Sequence, residues 1–127
     1  MRTRNQQMTA WLRAVTFGTL MASGLAVAGS HPWTLYDDTK GMWLKGAIQS
    51  TSYDRPHQVI QLDVDKPVAK TWTVVLAAPS KMELRGVPVS KLTPGLKVAV
   101  YVYPARDIPD ECRALRIVID GNTTELW

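Results

Sequence analysis

Cysteine and histidine are scarce in this sequence, and it contains no run of twenty apolar residues. One cysteine, Cys112, and two histidines occur among its 127 residues. A single cysteine excludes an internal disulfide and zinc sites built from several cysteines. The sequence also lacks a glycine-rich phosphate loop and a nucleophile elbow, which are typical of nucleotide-binding proteins and α/β-hydrolases. These absences remove the commonest sequence signatures of an enzyme.

The first 28 residues have the organisation of a secretory signal peptide. Three arginines lie among the first 13 residues, and an uncharged stretch of about fifteen apolar and small residues follows over Ala14–Ala28. The stretch ends in Ala-Val-Ala, a small-x-small pattern that signal peptidase accepts. We therefore predict cleavage after Ala28 and a periplasmic chain that begins at Gly29. An uncleaved anchor is the alternative, although a membrane-spanning helix needs about twenty apolar residues.

The predicted mature chain is almost neutral. Residues 1–28 hold three of the 15 basic residues and none of the 11 acidic ones, which leaves 12 basic against 11 acidic residues. Nucleic-acid-binding domains usually carry a basic stripe, whereas lysine and arginine are here interspersed with aspartate and glutamate. We expect one domain with no nucleic-acid partner and no stable membrane insertion after cleavage.

Alternating apolar and polar residues predict an all-β domain with one short helix. Five strands are predicted, at Met42–Ser52, His57–Val64, Lys70–Ala78, Leu96–Tyr103 and Cys112–Asp120, with a short closing strand at Thr124–Trp127. On the fifth strand the alternation assigns Arg113, Leu115, Ile117 and Ile119 to one side. Gly46 within the first strand predicts a bulge or a sharp bend.

Between the third and fourth predicted strands, the alternation of apolar and polar residues gives way to the pattern of a short helix. Ser80-Lys81-Met82-Glu83 has the pattern of a capping box, and Gly86 is a typical helix end. Three strands, a short helix and two strands are the order of an OB-fold, a five-stranded Greek-key barrel. We predict an N-terminal arm over residues 29–41 and an OB-like barrel over residues 42–127; an antiparallel sandwich or meander is the alternative.

Several short motifs of the mature chain occur together in one known family. They are Tyr36-Asp37, Leu44-Lys45-Gly46, Arg55-Pro56-His57, Leu62-Asp63-Val64, Trp72, Pro79-Ser80, Leu92-Thr93-Pro94-Gly95 and Arg113-Ala114-Leu115-Arg116. In these the chain resembles a family of short exported bacterial proteins of unknown function, which have a His-His-Ser-Phe start and an Asn-Pro-His turn. Here His31-Pro32-Trp33 replaces the paired histidine, and Arg55 replaces the asparagine. The resemblance implies a compartment and a fold, and no activity.

The predicted N-terminus could bind a metal ion. If cleavage follows Ala28, the chain begins Gly29-Ser30-His31. A free amine, two amide nitrogens and the imidazole of a third-position histidine form the square-planar nitrogen set that suits Cu(II) or Ni(II). Such a motif also arises by chance, and cleavage one residue away removes it.

His57 follows Pro56 at the end of the loop between the first two strands, one of the two loops that flank the usual OB-fold binding face. The other loop, Pro104–Glu111, leads into Cys112. A metal site made from His57, Cys112 and a loop carboxylate is one interpretation. We favour the other, in which His57 forms local hydrogen bonds and Cys112 packs inward, because free cysteine is among the most buried residue types.

Aromatic residues suggest a binding face. Trp43, Tyr101 and Tyr103 fall on the outward sides of their strands, and Arg106 and Asp107 lie in the neighbouring loop. An exposed aromatic cluster is typical of a surface that binds a glycan or a peptide. The alternative is that the arm segment Trp33–Tyr36 covers these rings.

We therefore expect a non-enzymatic, periplasmic binding module whose partner is a small ligand or another envelope protein. A copper- or nickel-binding protein that uses Gly29-Ser30-His31, assisted by His57, is the alternative. A hydrolase or lyase lacks a convincing set of residues, because the aspartate pairs 37–38 and 63/65 lie beside lysines and are expected to be solvated.

Overall fold

The computed structural model describes residues 31–127, which fold into six strands and one short helix. The strands are β1 Met42–Asp54, β2 His57–Val64, β3 Lys70–Val75, β4 Lys97–Pro104, β5 Glu111–Ile119 and β6 Asn122–Glu125, and the helix α1 is Pro79–Leu84. Two single 3-10 turns, Trp33–Leu35 and Val89–Lys91, complete the regular elements of this region. The predicted signal peptide lies outside the described residues.

The strands close into a barrel. Antiparallel pairs join β3 to β2, β2 to β1, β1 to β4 and β4 to β5, and a parallel pairing of β3 with β5 closes the ring. The first part of β1 pairs with β4 and its later part with β2, so β1 belongs to both sides of the barrel. This is the arrangement of an OB-fold, and it confirms the predicted five-stranded barrel over a sandwich or meander.

One continuous core fills the barrel, and α1 covers it through Met82, which is fully buried. The most completely buried strand residues are Ile48, Ile60, Leu62, Val74, Val75, Val100, Val102, Cys112 and Ile117. Strands β1 to β5 therefore line the core with apolar side chains, as expected for strands with one face in a core, whereas no residue of β6 is buried. Within residues 31–127, no helix is long and apolar enough to cross a membrane.

The predicted faces of the fifth strand are wrong. Cys112, Ala114, Ile117 and Ile119 are buried, so the inward side changes parity along β5. The cause is a bulge: Tyr101 pairs with Arg116 and Val102 with Ala114, which leaves Leu115 as an extra residue. An extra residue shifts the alternation by one position.

The predicted capping box is also wrong, although the helix forms. The helix starts two residues earlier, with Ala78 rather than Ser80 at the N-cap, and has no side-chain cap. Pro79 occupies the first position, where its missing N–H costs nothing. The helix ends as predicted: Gly86 has φ of 92°, and the amide of Val87 donates to the Met82 carbonyl at 2.9 Å.

Gly46 marks a close approach of two strands, whereas the bulge of β1 lies three residues later, at Gln49. At Gly46, β1 pairs with both β2 and β4. A Cβ atom at this position would overlap the main-chain carbonyl of Asp63. Glycine is therefore required at this position by the tight packing between paired strands.

We predict that Gly46→Ala lowers the free energy of unfolding by about 1–3 kcal/mol, because the Asp63 carbonyl belongs to a paired strand and cannot move aside. Gly41→Ala is the matched control, since the atoms nearest to its Cβ would be those of the Tyr101 and Tyr103 side chains, which can shift, rather than main-chain atoms of a paired strand. Urea denaturation measures both. A smaller loss in Gly46→Ala than in Gly41→Ala would contradict this explanation.

Candidate functional site

The N-terminal arm, of which the structure describes residues 31–41, lies along the β4–β5 loop. Tyr36 forms an isolated antiparallel bridge with Ala105. The amide of Asp37 donates to the Pro104 carbonyl at 2.8 Å, and the amide of Arg106 donates to the Leu35 carbonyl at 3.0 Å. Main-chain hydrogen bonds thus extend the barrel by a short piece of added strand.

Six side chains from the arm and from the ends of β1, β2 and β5 meet beneath this added strand. We call this group the junction cluster; it consists of His31, Tyr36, Asp54, His57, Glu111 and Arg113. The barrel closure explains the meeting, because the parallel pairing of β3 with β5 brings the start of β5 next to the β1–β2 loop.

Tyr36 is the buried member that fastens the arm. Its side chain is 2% exposed, and its hydroxyl donates to Glu111 Oε2 at 2.7 Å. Burial, and then the hydrogen bond to the Glu111 carboxylate, raise the pKa of the phenol well above its ordinary value. Tyr36 therefore keeps its proton and stays a donor at any physiological pH.

His31 connects the arm to the end of β1. Its Nε2 lies 3.0 Å from Asp54 Oδ2, and its Nδ1 lies 3.2 Å from the Tyr36 hydroxyl. Both ring nitrogens are therefore engaged by neighbours. Of the predicted metal set, Gly29 and Ser30 lie outside the described residues, so square-planar copper or nickel binding stays a prediction.

Arg113 bridges the arm and His57. One guanidinium nitrogen donates to the His31 carbonyl oxygen, and Nη2 lies 3.3 Å from His57 Nε2. An arginine can only donate, so Nε2 of His57 accepts and the proton of the neutral ring lies on Nδ1. That Nδ1 is buried and has no hydrogen-bond partner within residues 31–127.

The environment of His57 disfavours its charged form. Burial lowers its pKa most, the charges of Arg113 and His31 lower it further, and Asp54 opposes them. His57 thus acts as a neutral acceptor for Arg113. The guanidinium of Arg113 also lies 3.8 Å from the ring centre of Trp33, so this side chain holds the arm by two contacts, one with the His31 carbonyl and one with the Trp33 ring.

Cys112 does not take part in a site with His57. Its side chain is fully buried in the core, and its thiol lies 3.7 Å from the Thr73 carbonyl. Burial, and then the charge of Glu111, raise the pKa of the thiol, which disfavours the thiolate that a metal would need. Within residues 31–127, no three His, Cys, Asp or Glu side chains have an arrangement that holds a metal ion.

The predicted aromatic residues form a ring series that the arm extends. Trp33 contacts Tyr103 with ring centres 6.2 Å apart, Tyr103 contacts Tyr101 at 6.2 Å, and Tyr101 contacts Trp43 at 5.4 Å. Neighbouring planes are inclined by 56–73°. The arm covers the Tyr103 end, while Trp43 remains 50% exposed. Because neighbouring rings are inclined to each other, they do not form the flat aromatic surface on which several sugar rings could stack.

A cleft of about 590 Å³ lies between the arm and the barrel beside this ring series. The arm contributes Trp33, Thr34, Tyr36 and Asp38 to its lining, the barrel and the C-terminal residues contribute Tyr103, Leu115 and Trp127, and the β4–β5 loop contributes Arg106. Apolar and aromatic walls with a few charged groups are typical of small-molecule sites. Asp107 of the predicted ligand face is exposed in the same loop but does not line the cleft.

Arg106 already has partners in the arm. Its Nε lies 3.4 Å from the Thr34 carbonyl, and Nη1 lies 3.8 Å from Asp37 Oδ2. Hydrogen bonds from the hydroxyl and amide of Thr39 hold the pKa of Asp37 below its ordinary value. The positive charge of Arg106 at the cleft therefore lies next to the negative charge of Asp37.

Sequence reasoning found His31, His57, Tyr103 and Arg106, but missed Tyr36, Asp54, Glu111 and Arg113. Their side chains meet only through the fold: Tyr36 and Glu111, which share a hydrogen bond, are 75 residues apart. Tyr36 was visible as an aromatic residue of the arm, yet nothing local indicates that it alone of the arm's aromatic residues is buried. The sequence pattern placed Arg113 on the same side of β5 as Ile117 and Ile119. The bulge at Leu115 reverses the alternation, so that Arg113 lies on the opposite side from these core residues.

The free energy of unfolding should decrease as the pH falls, because the pKa of His57 is lowered in the folded protein. Its pKa is lower in the folded than in the unfolded protein, so between the folded value and about 6.5 the unfolded chain binds more protons. The free energy of unfolding therefore decreases as pH falls below about 6.5. We predict that this decrease is smaller in His57→Gln, measured by urea denaturation from about pH 5 to pH 8. Parallel pH profiles of the two proteins would contradict the assignment.

Comparison with known proteins gives one match. No curated protein and no solved structure shows a significant match to the chain. The model of a family of unknown function, DUF6152, matches residues 18–112, which include the whole arm, β1 to β4 and the first two residues of β5. The detailed motifs of the resemblance, such as the paired histidine, are not tested by this match. The chain belongs to this family of unknown function.

Proposed function

We propose that this chain is exported to the periplasm and acts there as a non-enzymatic binding module that holds a small ligand in the cleft between arm and barrel. The observation that carries the proposal is the cleft itself. Its volume of about 590 Å³ lies within the range of 300–1,000 Å³ that small-molecule sites occupy. Export rests on the basic start, apolar stretch and Ala-Val-Ala end of residues 1–28.

The position of the cleft supports a binding role. It opens beside the β4–β5 loop, one of the two loops that flank the usual ligand-binding face of OB-folds. The arm supplies half of its lining and is held by the junction cluster, so the walls are fixed before a ligand arrives. A preformed site avoids the free-energy cost of ordering a loop on binding.

The junction cluster supports a structural role better than a catalytic one. The hydroxyl that contacts His31 belongs to Tyr36, which is buried and keeps its proton. A nucleophile needs access to a substrate and a base that can remove its proton. Tyr36 instead donates to Glu111 and holds the arm in place.

We predict that the protein recovered from the periplasm of a Gram-negative host has the mass of residues 29–127, and that a small compact probe binds its cleft. Three probes of one shape and different charge are suitable: choline, 3,3-dimethyl-1-butanol and 3,3-dimethylbutanoate. Proton–nitrogen NMR follows the indole N–H groups of Trp33 and Trp127 and the amide of Leu115. At least one probe should shift these signals in a saturable way.

Gly121 provides the internal control, because it lines a separate depression whose other residues lie elsewhere on the barrel. Its amide should not respond to the probe that shifts the cleft signals. If none of the three probes shifts the cleft signals, the cleft is no small-ligand site, and an envelope protein as partner becomes the better explanation. A full-length protein in the membrane fraction would contradict cleaved export.

A further inference from the structure

We propose that the cleft selects a compact organic cation, such as a quaternary or primary ammonium group carried by a small molecule. This inference deepens the proposed function and depends on the cleft being a ligand site. It rests on the ring geometry, on the cations that the protein already places against its own rings, and on the one carboxylate of the lining that has no partner within residues 31–127.

Aromatic faces of this protein carry positive charges in three places. The Arg113 guanidinium lies 3.8 Å from the Trp33 ring centre, Arg116 lies 5.3 Å from that of Tyr101, and Lys70 lies 4.9 Å from that of Trp72. The negative potential of an aromatic face attracts a cation at such distances. Tyr103 and Trp127 also border the cleft, and no side-chain cation of residues 31–127 lies over either ring.

The inclination of the rings favours a compact group over a flat one. Trp33 and Tyr103 meet edge to face, with their planes inclined by 73°. A flat sugar or base stacks best on one broad face, whereas a tetrahedral ammonium group can contact several walls at once. Aromatic walls of this kind are the usual means of recognising quaternary ammonium groups.

The charges that line the cleft also favour a cation. Asp38 belongs to the lining and forms no ion pair or hydrogen bond with another residue of the described region. Arg106, the cation of the lining, lies 3.8 Å from Asp37, which offsets its charge. A cationic ligand would gain an ion pair with the exposed Asp38 carboxylate, while an anion would have to approach that carboxylate.

The test compares the three probes of equal shape. Choline carries a quaternary ammonium group, 3,3-dimethyl-1-butanol is its uncharged carbon analogue, and 3,3-dimethylbutanoate is an anion of similar shape. We expect choline to bind most tightly, by about tenfold over the alcohol, with the anion weakest. The dissociation constants come from the NMR shifts of the Trp33 and Trp127 indole groups.

Two variants separate charge from packing. Asp38→Asn should weaken choline about fivefold and leave the alcohol unchanged, because only the charge is removed. Asp107→Asn is the matched control: it removes a carboxylate of the neighbouring loop that does not line the cleft, and it should leave both affinities unchanged. Added salt should weaken choline and spare the alcohol.

The outcomes separate this inference from the proposed function. Absence of binding by all three probes overturns both. Equal affinity for choline and the alcohol, or tighter binding of the anion, overturns the cation inference and leaves the cleft as a ligand site. An equal loss of choline affinity in Asp38→Asn and Asp107→Asn would also overturn it, because the effect would then be a general change of surface charge.

Discussion

The hydrogen bond from the Tyr36 hydroxyl to Glu111 is the contact on which the candidate site depends. A phenol that is 2% exposed and donates at 2.7 Å to a carboxylate cannot leave its place without exposing a large apolar ring and depriving a half-buried charge of its donor. Losing a hydrogen bond to a charged group costs about 1.5–3 kcal/mol. This contact fixes the arm, and the arm supplies one side of the cleft.

The barrel topology explains why the arm has a place to attach. Closure by the parallel β3–β5 pairing brings Glu111 and Arg113, at the start of β5, next to the β1–β2 turn. Asp54 and His57 stand at the two ends of that turn, so four polar side chains face the arm from separate parts of the chain. The same closure directs the β4–β5 loop beneath the arm, where main-chain hydrogen bonds add a short strand.

The barrel could be predicted from the sequence because β1 to β5 each have one face in a common core, so that alternating apolar residues reveal their positions. The second strand was predicted with the observed bounds, and the others to within a few residues. Alternation failed where the backbone adds a residue, as at Leu115, and cap chemistry failed at Ser80 because Pro79 already starts the helix. These are local backbone events that side-chain pattern does not encode.

The candidate site was only partly predictable. Trp43, Tyr101 and Tyr103 follow from strand alternation, and His57 and Arg106 follow from the loops of an OB-fold. Tyr36, Glu111 and Arg113 are significant only because the fold unites them, and no spacing in the sequence expresses that contact. Membership in a family of unknown function supplies no activity from which the missing residues could be carried over.

Hydrogen exchange of the Asp37 and Arg106 amides tests most directly whether the arm is fastened to the barrel through Tyr36. Both amides donate to main-chain carbonyls in the added strand. The account predicts slow exchange in the natural protein, much faster exchange at these two amides in Tyr36→Phe, and no change in Tyr53→Phe, whose ring is 57% exposed. Fast exchange at both amides in the natural protein, or equal protection in Tyr36→Phe, would contradict it.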